Sequence, residues 1–297
     1  MRNVSISIIF CLLTIVLCNA KHYPETSINS MSSQNQGKSL LVQNRDSIRV
    51  LLKKKIQHKT PLIVHVFVPL CDNENQGIVP VNKQLGDGMN LQTNLYWGAG
   101  YGFRSYFKLK TDWKLKSKDS LKDPILERVC FTKTMSNGTK IVMVGDAYRG
   151  DRMKQSLHHY FASLAGERHD SISVDGKTLQ IASNADLLIF NGHDGLMDDT
   201  VKIYKNVDGK PRDAMMIACY SGRFFQKHLE HCGGYPLIST TGLLAPEAYV
   251  MHAAIEAWAQ QKSDSEIRNA AGDAYWAKHP KSGQAGSRGL FRTGWWE

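Results

Sequence analysis

The sequence predicts an α/β fold, a mostly parallel open sheet with helices on both faces. Three observations predict it. Apolar, β-branched runs of strand length recur along the chain, segments of helical length alternate with them, and polar glycine-rich sequence follows the strands. The clearest run, Leu62-Ile63-Val64-His65-Val66-Phe67-Val68, is almost continuously apolar, as a strand covered on both faces must be.

From the N-terminus, residues 1–20 hold one basic residue, Arg2, then an apolar run from Ile6 to Leu17, then Cys18-Asn19-Ala20. This is the pattern of a secretory signal, too short for a confident bilayer span and small at the outer positions of its end. An uncleaved anchor and lipidation at Cys18 are the alternatives; the bulky Leu17 argues against the second. The expected location is therefore secreted or periplasmic, with attachment to the outer surface left open. No later segment is long and apolar enough for an integral membrane span once the signal is removed. Residues 21–45 are rich in Ser, Asn and Gln and read as a loosely ordered lead-in. Residues 46–297 read as a single domain, long enough for a substantial core.

Within that domain, 46–58 reads as a basic helix and 62–68 as the first strand. Further strands are expected at 141–144, 187–190, 215–218 and 236–240. Helices are expected at 94–107, 152–165, 221–231, 248–261 and 266–279. Gly98, Gly100 and Gly102 mark the first of these helices as broken or closely packed. Trp295-Trp296 reads as a patch folded back on the domain.

Composition narrows the function. The chain has 37 basic and 27 acidic residues, with the surplus gathered at Lys53-Lys54-Lys55 and between Lys108 and Lys118. No nucleic-acid-binding module accompanies that charge, so it reads as a solvated basic face and no nucleic-acid partner is expected. Neither GxGxxG nor GxxxxGK[ST] occurs, so the glycines between Gly86 and Gly102 do not read as a nucleotide loop. Four cysteines follow the signal, Cys71, Cys130, Cys219 and Cys232, too few for a disulfide scaffold and without a zinc-site spacing. No cofactor and no metal are expected. Asp198 and Asp199 read as turn residues, with Ca²⁺ binding as the alternative.

The polar chemistry gathers where the strands end, which in open α/β sheets is where ligands bind. Asn191-Gly192-His193-Asp194-Gly195 follows one strand and Cys219-Tyr220-Ser221-Gly222 a later one, His193 and Cys219 lying 26 positions apart. If the two strands are neighbours, the side chains are about one strand spacing apart, roughly 5 Å. An imidazole beside a thiol activates sulfur as a nucleophile, and the helix after Cys219 favours a thiolate. Gly192, Gly195 and Gly222 leave room for a substrate backbone and are candidate oxyanion donors. The bland readings are a core cysteine, or half of a Cys219–Cys232 disulfide.

An apolar strand ending in Asn191-Gly192-His193, then an apolar strand ending in Ala218-Cys219 with Ser221-Gly222 behind it, resembles the caspase-like cysteine peptidases, the group of caspases, gingipains, clostripain and legumains. The resemblance spans roughly residues 61–261 and implies a three-layer caspase-like sandwich. It makes His193 the catalytic histidine and Cys219 the nucleophile, acting on a peptide or protein substrate. The family places glycine directly after the histidine, where its amide helps hold the oxyanion. Here Asp194 intervenes and Gly195 comes one place later, a departure that bears on activity more than on fold. By the same resemblance, residues selecting the substrate side chain come from positions such as Asp72, Asp146, Arg149, Ser239 and Thr240; for Asp146 and Arg149 a salt-bridged loop anchor is the plainer reading. The expected function is thus an exported cysteine peptidase or related amide hydrolase. A non-catalytic binding module of the same fold is the alternative. An unrelated α/β hydrolase is disfavoured by the lack of a GxSxG elbow.

Overall fold

The computed structural model describes residues 42–296. The predicted signal, 1–20, and all but the last four residues of the predicted lead-in lie outside the described residues.

The first core strand is β1 (Leu62–Pro69), preceded by α1 (Asp46–Gln57). After a long loop come α2 (Phe103–Leu109), β2 (Lys114–Ser120), β3 (Ile125–Thr134) and β4 (Lys140–Tyr148). Next are α3 (Met153–Ala165), the hairpin β5 (His169–Val174) and β6 (Lys177–Ala182), then β7 (Leu187–Asn191) and β8 (Arg212–Ile217). The chain closes with α4 (Ser221–Cys232), β9 (Gly234–Thr240), α5 (Ala248–Ala259), α6 (Asp264–Lys278), α7 (Gly283–Gly289) and β10 (Phe291–Arg292). The main sheet has the order β10-β9-β8-β7-β1-β4-β3-β2. Its centre, β4 through β9, is parallel, and antiparallel strands flank it on both sides.

Alternation along β1 divides the core into two. Leu62, Val64, Val66 and Val68 pack with Ile48 and Leu52 of α1, Phe103 and Phe107 of α2, and Ile255 and Trp258 of α5. Ile63 and Phe67 face the opposite way, toward Leu157 and Phe161 of α3 and Phe225 and Leu229 of α4. The molecule is therefore an α/β sandwich of three layers, as the near-continuous apolar strands require. Burying each such side chain contributes about 1.5–3 kcal/mol before entropy is counted. No helix among the described residues is long and apolar enough to cross a membrane.

Several boundaries differ from expectation, each for a physical reason. The segment 94–102 is not helical. Buried Asn94 pins the loop instead, accepting from the Cys71 amide at 3.1 Å and donating to the Cys71 carbonyl at 2.8 Å. A side chain at Gly102 would lie 2.6 Å from the Trp97 backbone, so glycine is what lets the chain cross itself there. The strand expected at 141–144 runs on to Tyr148, which places Asp146 inside the sheet. Residues 42–45 belong to the folded domain: Val42 is buried, and the Arg45 guanidinium grips buried Asp213 with two hydrogen bonds of 2.7 Å.

Asp146 is not a strand-end residue because its charge is neutralised within the layer. Arg128 of β3 donates to it at 2.6 and 2.8 Å and also reaches Asp170 of β5 at 2.7 Å. His65 Nδ1 accepts the Ala182 amide at 3.2 Å, so the ring proton sits on Nε2 and is donated to Asp146 at 3.0 Å. Burial alone would push the Asp146 carboxyl up, but His65 and Arg128 outweigh it and hold it well below the usual carboxylate range. Burial likewise lowers His65 and favours the neutral ring.

Candidate functional site

Strands β7 and β8 are parallel neighbours, with Asn191 opposite Ile217 at the last shared rung. His193 and Cys219 each lie two residues beyond it, so the two residues follow their strands at the same level. The strands stay joined up to that point, because the Gly192 amide donates to the Ile217 carbonyl at 3.2 Å.

Each residue is fixed by its own turn. Cys219 enters a strand-to-helix turn in which Tyr220 adopts left-handed backbone angles, φ 49° and ψ 25°. For a non-glycine residue this conformation costs on the order of 1 kcal/mol and must be held from outside. Thr240 and Ser221 hold it. The Ser221 amide donates to Thr240 Oγ1 at 3.1 Å, the Ser221 hydroxyl to the Met216 carbonyl at 2.7 Å, and the Thr240 hydroxyl to the Ala218 carbonyl. The Tyr220 amide donates to the Gly242 carbonyl at 3.0 Å. Thr240 is thus a support for the cysteine turn and Ser239 a buried neighbour, its hydroxyl unpartnered among the described residues.

His193 is buried, and its Nε2 meets Asp198 Oδ2 at 2.6 Å. The same oxygen accepts the Gly77 amide at 2.9 Å, tying the loop after β1 to the loop after β7. Asp198 lies in a turn, as expected, and its side chain also holds the histidine. Asp199, by contrast, pairs with Lys154 at 3.0 Å. Among the described residues, no group of three or more His, Cys, Asp or Glu side chains is arranged to hold a metal. The proximity of His193 and Asp198 in sequence was the available signal, an i to i+5 separation that one tight loop closes.

Cys219 is half-buried, and its Sγ donates to the Leu244 carbonyl at 3.6 Å; no hydrogen bond joins it to His193 among the described residues. Burial raises its pKa above the ordinary thiol value, and the nearby Asp194 carboxyl raises it further. Both effects disfavour the thiolate. All four described cysteines are free, so no Cys219–Cys232 bridge exists, and Cys232 is fully buried.

The three glycines do not stand open. An added side chain would meet Pro69 at 3.2 Å from Gly192, Met153 at 2.3 Å from Gly195 and the Trp296 ring at 2.3 Å from Gly222. The last contact belongs to the C-terminal tail, which folds back as expected. Trp296 exchanges backbone hydrogen bonds with the Gln226 side chain, and Trp295 Nε1 donates to the Val42 carbonyl at 2.8 Å. The amides of Asp194 and Gly195 donate to no acceptor among the described residues.

The remaining selected residues do not converge on His193 and Cys219. Asp72 caps its own loop, accepting from the Glu74 and Asn75 amides at 2.9 and 3.1 Å. Arg149 pairs with Asp151 at 2.8 Å and Asp123 at 3.0 Å, a loop anchor. These two share a cavity of about 290 Å³ with Lys83 and Asp87. Asp146 is buried in the sheet, and Ser239 lies beside the Trp295-Trp296 tail. A cavity of about 390 Å³ opens at the opposite, amino-terminal edge between α1 and Asp186, away from the strand ends that carry the thiol and imidazole. The carboxyl edge itself exposes Val79, Met197, Tyr220 and Leu243, one from each loop following β1, β7, β8 and β9.

No known protein family has a model that matches this chain, and neither a curated protein nor a solved structure matches it.

Proposed function

We propose that this chain is an exported cysteine peptidase or related amide hydrolase, akin to the caspase-like peptidases, with Cys219 as nucleophile and His193 as its base. The observation that carries the reading is the shared level of His193 and Cys219 at the ends of two parallel neighbours, with Asp198 on the far nitrogen of the imidazole. Because Asp198 occupies Nε2, Nδ1 is the nitrogen left for the thiol, and it makes no hydrogen bond among the described residues.

The chemistry follows from these positions. The Cys219 proton passes to His193 Nδ1 as sulfur bonds to the substrate carbonyl carbon, and the carbonyl π pair moves onto oxygen. The unpaired amides of Asp194 and Gly195 are the donors available to that oxyanion. As the C–N bond breaks, His193 gives its proton to the leaving nitrogen, which leaves a thioester. Water then loses a proton to His193 and attacks the same carbon; the C–S bond breaks, the acid departs, and the proton returns to sulfur. Asp198 orients the ring and stabilises its charged form. Val79, Met197, Tyr220 and Leu243 offer apolar contact to a peptide laid along the edge.

A second reading, a non-catalytic binding module of the same fold, is favoured by the Cys219–Leu244 hydrogen bond and by burial that disfavours the thiolate. Incubating the protein with a mixed peptide library and analysing the products by mass spectrometry separates the two. Cleavage that disappears in Cys219→Ala is expected; no cleavage, or cleavage unchanged in that variant, sinks the peptidase.

A further inference from the structure

The amino-terminal end of the sheet, opposite the thiol and imidazole, holds the cavity of about 390 Å³ beside α1. It opens where three parallel strands begin: Thr60 leads into β1, Asp186 into β7, and Lys210 and Pro211 into β8. The helix α1 forms its remaining side. Its volume lies in the range of about 300–1,000 Å³ typical of sites for small organic molecules. Ile48, Leu52 and Ala185 give it a buried apolar wall. Leu51 lines the same space yet is 48% exposed, so a large apolar side chain meets water at the mouth.

The mouth carries a surplus of positive charge. Among the described residues, Asp186 is the one acidic group on the cavity wall, and it is already neutralised. Lys55 Nζ donates to its two oxygens at 2.7 and 2.6 Å, and the Ile63 amide donates to the second at 2.8 Å. Arg212, also on the wall, is taken up by Asp208 and by the Ser183 and Leu164 carbonyls. Lys54 and Lys210 are exposed, and their ammonium groups form no hydrogen bond or ion pair among the described residues. The Thr60 hydroxyl and the Asn184 side-chain amide are further donors there without a partner among the described residues. Lysines with no arginine fork beside them answer to charge rather than to planar shape. An apolar wall below two uncommitted ammonium groups therefore matches one kind of molecule, an anion with an apolar body.

We propose that this cavity is a binding site for a small amphipathic anion, a carboxylate on an alkyl chain or ring. Its apolar part would lie against Leu51, Leu52 and Ala185, and its charge at Lys54 and Lys210. Exposed lysines alone make an ordinary solvated face; the apolar wall beside them is what selects an organic anion over an inorganic one. A cavity also seats one molecule at a time, whereas a bilayer surface would meet a protruding apolar face. The site lies at the end of the sheet away from Cys219, so it stands or falls independently of the peptidase reading.

The test is equilibrium dialysis of radiolabelled octanoate against the full chain, with acetate and octanol as competitors. Two variants accompany wild type, Lys54→Gln/Lys210→Gln and Leu51→Glu. All of these positions are exposed, so the fold should hold, and an unchanged melting temperature checks that it does. Octanoate should be retained, and neither acetate nor octanol at comparable concentration should displace it. The double variant should bind about tenfold more weakly, from a few-fold loss at each half-solvated ion pair. Leu51→Glu withdraws apolar contact and sets a negative charge at the mouth, so it should bind at least about tenfold more weakly. Added salt should weaken binding to wild type and hardly change it in the double variant. Octanol that displaces octanoate equally well would reveal an apolar cavity indifferent to charge, and acetate that does so an ion on surface lysines; either overturns the proposal. Affinity unchanged in both variants would place octanoate elsewhere on the molecule, and no retention at about 1 mM would mean that the cavity takes no such ligand. Both of these overturn it as well.

Discussion

Replacing Arg128 with methionine removes the cation that keeps Asp146 charged inside the sheet. In the native protein the Arg128 side chain is 8% exposed and Asp146 fully buried, and two hydrogen bonds of 2.6 and 2.8 Å join them. After the substitution, only the His65 N–H would remain on the carboxylate, and burial favours the neutral form of that ring. Breaking a buried pair in this way costs about 3–5 kcal/mol, a large share of the roughly 5–15 kcal/mol that holds a domain together. The cost should depend on pH. Wild-type Asp146 has a depressed folded pKa, so its contribution is fully present above the unfolded carboxylate value, about 3.9, and is lost as pH falls toward the folded value. In Arg128→Met the folded pKa rises above the unfolded one, so stability is best in acid and is lost as pH rises. Urea unfolding at neutral pH and near pH 4 should therefore show a deficit that is large at the first and much smaller at the second. A deficit under about 1 kcal/mol at neutral pH, or one of equal size at both, would refute the assignment of Asp146 as a structural anion.

Other perturbations address the site more closely. Asp198→Asn should slow peptide cleavage at least about tenfold, through loss of the charge that orients and stabilises His193, with the melting temperature little changed; an unaltered rate would remove Asp198 from the mechanism. Gly222→Ala places a methyl group 2.3 Å from the Trp296 ring. The ring must leave its seat, visible as a changed tryptophan emission spectrum and a loss of about 1–3 kcal/mol in stability; an unchanged spectrum would mean that the tail does not rest there in solution.

Much of the architecture was legible because it rests on periodicity. The apolar runs at 62–68, 187–190 and 215–218 could only be strands covered on both faces, and the polar sequence after them marked one sheet edge as the place of interest. What escaped detection rests on contacts between residues distant in sequence. Strand β2 escaped because Lys114–Ser120 is charged at most positions, β3 because Glu127 and Arg128 interrupt its apolar residues, and β5 and β6 because they are short and mostly unburied. Asp146 looked like a strand end because a carboxylate inside a sheet is costly, and nothing local announced that Arg128, 18 positions earlier, neutralises it. Gly192, Gly195 and Gly222 looked like space for a substrate, whereas Pro69, Met153 and Trp296 fill that space from other parts of the chain. The sequence marks Asp198 as a turn residue or a Ca²⁺ ligand but not as a partner of His193, since that contact depends on how the loop after β7 closes.

The most direct measurement is the rate at which a thiol-reactive peptidyl electrophile labels Cys219 in the full chain at neutral pH, compared with His193→Ala. Labelling is expected at Cys219, with Cys71, Cys130 and Cys232 spared by burial, and slowed at least about tenfold when the imidazole is removed. Labelling at the same rate with and without His193, or none at all, would contradict it and leave Cys219 a core thiol in a non-catalytic domain.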